Sequence, residues 1–238
     1  MKPLTSTVAR RFIAARLSPE GWLGMHLTIG LIALLLTGWL FAEIAEDVVH
    51  GDKITLIDVQ LATWFHTHAT PFFTSVMLAI THMHGTTGIL LMALLAGVYL
   101  KRIGERYWLM TLIFAVVGGV VLNVLLKHVF QRARPLFDVP ILTLDTYSFP
   151  SGHVAGSTAF YGVLAAFLLS RPSSGMTKVL IIVGACMMVL LVGLSRMYLG
   201  VHYLSDVMAA MMSASAWLAL CITGVSTLRR HRLQGMAP

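Results

Sequence analysis

The sequence predicts an all-α membrane protein, a polytopic helical bundle with six transmembrane helices. Its 238 residues are 57% hydrophobic and 11% charged, and its mean hydropathy is +0.81. Soluble domains carry about 25% charged residues, so this composition excludes a soluble protein. The hydrophobic residues are also grouped in long runs, and a helix needs about 20 such residues to cross a bilayer.

The predicted spans are the six runs 22–44, 72–100, 108–126, 154–170, 179–194 and 203–225. The first run follows a basic segment and is too long for a cleaved signal peptide, so we interpret it as a retained anchor. The second run is long enough to tilt or break. Its expected irregularity is marked by His82, His84, Gly85 and Gly88.

One membrane domain, residues 21–228, is expected between two cytoplasmic segments. Residues 1–20 are interpreted either as a basic amphipathic helix on the inner membrane surface or as a positively charged tail. Residues 229–238 form a second cytoplasmic tail. The spacing of the spans and the short loops suit a single bundle.

Positive charge predicts how the bundle is oriented. The net charge is +7, and twelve of the 17 Lys and Arg residues lie in the segments 2–16, 101–106, 171–178 and 229–232. Cytoplasmic loops collect Lys and Arg, so we assign this charge to topology and not to a nucleic-acid partner. Both termini are then cytoplasmic. The opposite side receives an acidic loop at 45–70 and the segments 127–153 and 195–202.

Three short polar clusters interrupt the hydrophobic chain on this outer side. They are Lys127-x6-Arg134-Pro135, Pro150-Ser151-Gly152-His153 and Ser195-Arg196-x5-His202-x3-Asp206. Ionisable residues at membrane depth are usually functional, because an uncompensated charge is unfavourable there. Lys127, Arg134 and Arg196 can surround a phosphate, since arginine forks bind phosphate oxygens in pairs and lysine adds a point charge.

The remaining members of the clusters suit nucleophilic and acid catalysis. His202 and Asp206 are four residues apart at the start of a predicted helix, which places them on one face. The carboxylate can accept a hydrogen bond from one imidazole nitrogen and leave the other free to attack. Ser151 is a good N-cap residue, and Gly152 lets the backbone approach an anion at a helix start. His153 can protonate a leaving oxygen there.

Each feature also has an ordinary structural interpretation. A His–Asp pair can be solvated, a Ser–Gly–His segment can cap a helix, and a cation at a helix end can reach lipid headgroups. A proton-coupled transporter would carry such charges on broken spans near the bilayer midplane, whereas these lie at span ends on one side. His66-x-His68 and His82-x-His84 have no acidic or cysteine partner at metal-ligand spacing, so neither a metal nor another cofactor is expected.

In this order the three clusters resemble the three-part signature of the type-2 phosphatidic-acid phosphatase superfamily. That superfamily includes bacterial membrane lipid phosphatases as well as soluble haloperoxidases and acid phosphatases. All three parts match, and the resemblance covers about residues 70–225. It implies that His202 is a nucleophile that forms a phosphohistidine, that Asp206 orients it, and that His153 protonates the leaving oxygen.

The resemblance also implies how the phosphate is held. Lys127, Arg134 and Arg196 would bind its oxygens, and Ser151 and the N–H group of Gly152 would complete the site without a metal. An additional cation, Arg132, lies inside the first motif. We expect it near a second phosphate or a headgroup.

The implied activity is hydrolysis of a lipid phosphate in a bacterial inner membrane, with the active site facing outwards. The first choice of reaction is undecaprenyl diphosphate to undecaprenyl phosphate. Phosphatidate or phosphatidylglycerophosphate is the next choice, and a lipid A phosphatase or phosphotransferase follows.

The orientation can be tested with single cysteines at Asp138 and at Gly175, in a background that lacks Cys186 and Cys221. Because residues 127–153 are expected outside and 171–178 inside, Asp138→Cys should react with an impermeant thiol reagent on intact cells. Gly175→Cys should react only after lysis. The reverse labelling pattern would place the polar clusters in the cytoplasm and refute the charge argument.

Overall fold

The computed structural model describes residues 24–234, and this part of the chain contains helices and no β-strand. The helices are α1 Met25–His50, α2 Lys53–Thr67, α3 Pro71–Met83, α4 Thr86–Arg102, α5 Arg106–Phe130, α6 Gly152–Leu169, α7 Gly175–Tyr198 and α8 Leu204–Gln234. The predictions for residues 1–20, and for the end of the tail at 235–238, lie outside the described residues.

The predicted all-α membrane bundle is confirmed. Five helices, α1, α5, α6, α7 and α8, are each long and apolar enough to cross a membrane. Helices α3 and α4 are too short individually but meet the same test together, and they are bent by 54° at the break between them. Counted as one broken span, this pair completes the set of six. It corresponds to the second predicted run, 72–100, and we refer to it as the sixth span.

The break in the sixth span falls at His84 and Gly85, where the irregularity was expected. The His84 side chain is buried and satisfies both ring nitrogens, with the Ile80 carbonyl at 2.8 Å and the Tyr161 hydroxyl at 2.8 Å. These contacts replace part of the hydrogen bonding that a continuous helix would supply. Gly88 is required because a Cβ there would overlap the carbonyl oxygen of Met83.

Residues 45–70 differ from the acidic loop that we predicted. Helix α1 continues to His50 and ends at Gly51, whose φ of 76° is in the left-handed region that favours glycine. Helix α2 then follows as a separate element. It buries Asp58 and exposes residues such as Leu56 and Trp64. Its apolar positions are too few for a span, which is why a search for long hydrophobic runs missed it.

Helix α6 is the centre of the bundle, since α5, α7 and α8 all pack against it. Half of its buried residues are small, namely Ala155, Ser157, Thr158 and Ala159. Small residues let membrane helices approach closely. This packing brings the start of α6, the end of α7 and the start of α8 together at one end of the bundle, beneath the segment 131–151.

Replacing Gly88 by alanine should destabilise the bend. The new Cβ meets backbone, which cannot move aside as a flexible side chain can, so the free energy of unfolding should fall by the ~1–3 kcal/mol typical of overpacking. The matched control is Gly184→Ala in α7, where nothing lies within 4 Å of the added methyl group. Thermal unfolding in detergent measures both, and equal melting temperatures would show that the bend does not need this glycine.

Candidate active site

The three polar clusters meet around one cavity of about 270 Å³ at one end of the bundle. The residues of the clusters that line it are Lys127, Arg134, Gly152, His153, Arg196 and His202. Ser151 and Asp206 are fully buried. Segments that lie far apart in the sequence therefore line one cavity.

His202 and Asp206 form a buried pair. The Nδ1 atom of His202 lies 3.2 Å from Oδ2 of Asp206, and both side chains are almost completely buried. Burial lowers the pKa of His202 to about 3, against the opposing effect of the Asp206 carboxylate. The imidazole is therefore neutral at physiological pH, and its Nε2 atom faces Arg134 and the cavity.

The geometry of this pair differs from the expected turn of helix. His202 precedes the first residue of α8, Leu204, and lies in the connection that follows α7. Gly200 in this connection has a φ of 68°, and the ring of Phe137 packs where its Cβ would be. The left-handed turn at Gly200 therefore precedes His202, which lies just before α8 and contacts Asp206 in the first turn of that helix.

Arg196 is the most unusual cation of the site. Its side chain is 1% exposed, and one guanidinium nitrogen donates to the Thr81 hydroxyl at the end of α3. Its Nε and Nη2 atoms have no hydrogen-bond partner among residues 24–234. A buried cation without partners is unfavourable, so these donors are placed for an anion in the cavity.

Arg134 is held largely by its own connecting segment, residues 131–151, which we call the cover segment. It donates to the carbonyls of Thr146 and Val201, both at 2.6 Å, and to the Thr146 hydroxyl at 2.9 Å. These contacts direct Nη1 to within 3.3 Å of Nε2 of His202. The guanidinium is therefore fixed beside Nε2 of His202 at the wall of the cavity.

Lys127 approaches the cavity from the last turn of α5. Its ammonium group donates to the carbonyl of Tyr147, and to that of Ser148 at 3.3 Å. An ammonium group has three donors, so one remains for a ligand. Lys127 thus joins the cover segment to the anion site.

The start of α6 supplies the remaining predicted residues. The backbone N–H group of Ser151 donates to the Asp206 carbonyl at 3.1 Å, while its hydroxyl is buried and lacks a partner among the described residues. Ser151 is the N-cap residue, yet its side chain makes no capping hydrogen bond. A Cβ on Gly152 would lie 3.1 Å from Oδ1 of Asn123, so a glycine fits best there.

His153 is placed by the break between α3 and α4. A Cβ built on Gly85 would lie 3.5 Å from Nε2 of His153, so the bend packs directly beside this imidazole. The residue lines the same cavity as His202. One histidine can attack while the other exchanges a proton with the leaving group.

Arg132 is not located where we expected it. Its two terminal nitrogens pair with Asp206 at 2.7 Å and with Asp58 at 2.8 Å. It is absent from the cavity lining. The expectation of a headgroup contact is therefore corrected to an internal ion-pair network, because two buried carboxylates lie closer to the guanidinium than the cavity does.

Sequence reasoning missed several residues that support the site, namely Asp58, Thr81, Asn123 and Ser148. Ser148 is fully buried, and its hydroxyl donates to Oδ2 of Asp206. Asn123 precedes Lys127 by one helical turn and donates to the Pro150 carbonyl at 3.3 Å. Asn123 could have been found from the sequence, because it is a polar residue inside an apolar span, one turn before Lys127.

The first histidine of each His-x-His pair contacts other groups of the protein. His66 stacks on Phe137 with ring centroids 4.0 Å apart, and His82 hydrogen-bonds the Leu78 carbonyl at 2.7 Å. Within residues 24–234, no group of three or more His, Cys, Asp or Glu side chains is arranged to hold a metal ion.

A membrane bundle with a neutral histidine beside three cations defines a site for phosphoryl transfer. Residues 108–230 match the PAP2 superfamily. The chain is 31% identical over 173 residues to phosphatidylglycerophosphatase B of Bacillus subtilis (strain 168), covering 71% of this chain and 84% of that protein. It is also 31% identical over 192 residues to the lipid A 1-phosphatase of Rhizobium johnstonii, covering 75% and 70%.

The fold gives the same result. The crystal structure of the transmembrane PAP2 type phosphatidylglycerolphosphate phosphatase from Bacillus subtilis superposes with a TM-score of 0.73 at 25% identity, covering 79% of this chain and 94% of that one. The chain belongs to the PAP2 superfamily. It is a membrane lipid phosphatase of the PAP2 type.

The unpaired donors of Arg196 predict a stabilising effect of phosphate analogues. Vanadate should raise the melting temperature of the wild-type protein. At a hundredfold excess over Kd, the free energy of unfolding should rise by about 2.7 kcal/mol. Arg196→Met should abolish this shift without lowering the melting temperature of the ligand-free protein, because it removes an unpaired buried charge. Lys178→Met, which removes an exposed cation from the same helix, is the control. A full vanadate shift in Arg196→Met would exclude Arg196 from the anion site.

Proposed function

We propose that this protein hydrolyses a lipid phosphate through a phosphohistidine on His202, with undecaprenyl diphosphate as the first candidate substrate. The observation that carries the proposal is the position of the neutral His202 imidazole. Its Nδ1 atom is held by Asp206, and its Nε2 atom lies beside Arg134 at the wall of a cation-lined cavity.

The first chemical step forms the phosphoenzyme. Nε2 of His202 attacks phosphorus, and the bond between phosphorus and the leaving oxygen breaks. His153, which takes up a proton when the negative charge of the phosphate enters the cavity, gives this proton to that oxygen, which leaves as an alcohol or as a lipid monophosphate. Asp206 accepts the hydrogen bond of the Nδ1–H group and stabilises the positive charge that develops on the attacking ring.

The second step releases phosphate. His153, now neutral, accepts a proton from a water molecule that attacks phosphorus, and the bond to Nε2 of His202 breaks. Lys127, Arg134 and Arg196 stabilise the charged phosphoryl oxygens in both steps. Fixed cations in a site shielded from water supply large electrostatic stabilisation of a transition state.

Part of the cavity wall is apolar, which supports a lipid substrate. Val120 and Val124 of α5 and Ala155 and Gly156 of α6 line the cavity together with the cations. These residues are apolar and small, so they suit the first units of a polyprenyl chain.

A second candidate is phosphatidylglycerophosphate, and its support is the relative from Bacillus subtilis, which is named as a phosphatidylglycerophosphatase. The third is lipid A, supported by the relative from Rhizobium johnstonii. For each candidate we propose an active site that faces the outside of the bacterial inner membrane, as the distribution of Lys and Arg predicts.

One assay tests both the mechanism and the substrate. Phosphate release is measured in EDTA from undecaprenyl diphosphate, phosphatidylglycerophosphate, phosphatidate and lipid A, with wild type and with His202→Ala. Wild type should remain fully active in EDTA and prefer undecaprenyl diphosphate in kcat/KM. His202→Ala should lose more than a hundredfold in kcat on every lipid, since catalytic groups contribute about 10²–10⁴. Asp206→Asn should lose less, because it misorients the imidazole but leaves it in place.

Two outcomes would contradict the proposal in different ways. Activity of His202→Ala above about a hundredth of wild type would refute the phosphohistidine, given the same range for catalytic groups. A preference for another lipid, with His202→Ala inactive, would leave the mechanism intact and replace the substrate.

A further inference from the structure

We propose that Asp58 is a positioning residue of the active site, which acts on the catalytic Asp206 through Arg132. The inference rests on the proposed function, because it concerns the carboxylate that orients His202. Asp58 belongs to α2, an element outside both the three sequence motifs and the residues 108–230 that match the superfamily.

Arg132 bridges two carboxylates that are both completely buried. Its Nη2 atom donates to Oδ2 of Asp58 at 2.8 Å, and its Nη1 atom donates to Oδ1 of Asp206 at 2.7 Å. The ring of Tyr203 covers the guanidinium, whose central carbon lies 4.4 Å from the ring centre. The cation therefore cannot turn towards the cavity without leaving both carboxylates.

Ser205 closes the network at the first turn of α8. Its backbone N–H group donates to Oδ1 of Asp58 at 2.9 Å, and its hydroxyl donates to Oδ2 at 2.5 Å. The same hydroxyl lies 2.7 Å from Nη1 of Arg132. Asp58 thus holds the residue that directly precedes Asp206 as well as the cation that pairs with it.

The two oxygens of Asp206 have separate tasks. Oδ2 accepts from His202 at 3.2 Å, from the Tyr203 N–H group at 2.9 Å and from the Ser148 hydroxyl. Oδ1 accepts from Arg132. A carboxylate held at both oxygens cannot rotate about its Cβ–Cγ bond, so Arg132 keeps Oδ2 directed at the nucleophile.

The charges explain why Arg132 needs Asp58. With both carboxylates present, each terminal nitrogen of the Arg132 guanidinium has an anionic partner. Two charge-assisted hydrogen bonds hold a guanidinium more firmly than one. Without the Asp58 charge, one end loses its anion, and the guanidinium is no longer fixed in the position from which it holds Oδ1 of Asp206. Loss of the Asp58 charge should therefore slow the step in which positive charge develops on His202, and it should leave substrate binding unchanged.

The test is a double-mutant cycle on Asp58 and Arg132, with kcat and KM measured per folded molecule. Asp58→Asn keeps the shape of the side chain and should lower kcat about tenfold. Residues that orient the ligands of a metal site have a comparable indirect role, and their loss lowers activity about 10–100-fold. KM should change less than twofold, as for an interaction made in the transition state. Asp58→Glu should recover part of the loss, and exposed Asp138→Asn should retain wild-type values.

The cycle identifies the path of the effect. If Asp58 acts through Arg132, Asp58→Asn should cause no further loss of kcat in an Arg132→Gln background. Should Arg132→Gln fail to fold, the split between kcat and KM in Asp58→Asn, together with recovery in Asp58→Glu, decides the question.

Wild-type kcat in Asp58→Asn, or additive losses in the double variant, would overturn the inference. A purely structural role for Asp58 would lower the melting temperature and the yield while kcat per folded molecule stayed the same, and this result would also overturn it. Each of these outcomes leaves His202→Ala inactive. Failure of the proposed function is distinguishable because there His202→Ala itself stays active.

Discussion

The site depends on keeping one carboxylate, Asp206, ionised and correctly directed inside the protein. Burying an isolated carboxylate is strongly unfavourable. The structure meets this constraint with donors from two connecting segments, Arg132 and Ser148 before α6 and His202 and Tyr203 before α8. The connections before α6 and before α8 are therefore both tied to this one group.

The cavity beside this carboxylate carries an excess of positive charge, because the cations that line it outnumber the anions. Lys127 and Arg134 use carbonyl oxygens of the cover segment as partial compensation. Arg196 keeps two nitrogens without partners among residues 24–234. The protein without ligand is therefore less stable than its packing would allow, and the proposed phosphoryl ligand would supply the negative charge that these nitrogens lack. Preorganised cations of this kind need little rearrangement in the transition state.

The sequence predicted those parts of the fold and site that depend on local pattern. Long apolar runs identified the spans, and glycine near His84 identified the break. The cavity-lining cations and histidines stood in short motifs. Asp58 and Thr81 could not be found in this way, because Asp58 contacts Ser205 across 147 residues and Thr81 contacts Arg196 across 115. Arg132 was misplaced for the same reason, since its partners were unknown before packing.

The break in the sixth span connects these observations. A straight helix would carry Thr81 and Gly85 along a single line, whereas the 54° bend after α3 lets Thr81 reach Arg196 and Gly85 reach His153. Irregular backbone at membrane depth is tolerated where protein satisfies its polar groups, and Nδ1 of His84 does so here by donating to the Ile80 carbonyl. The bend and helix α2 therefore share one role, because each brings a distant polar group to the motifs that carry the chemistry.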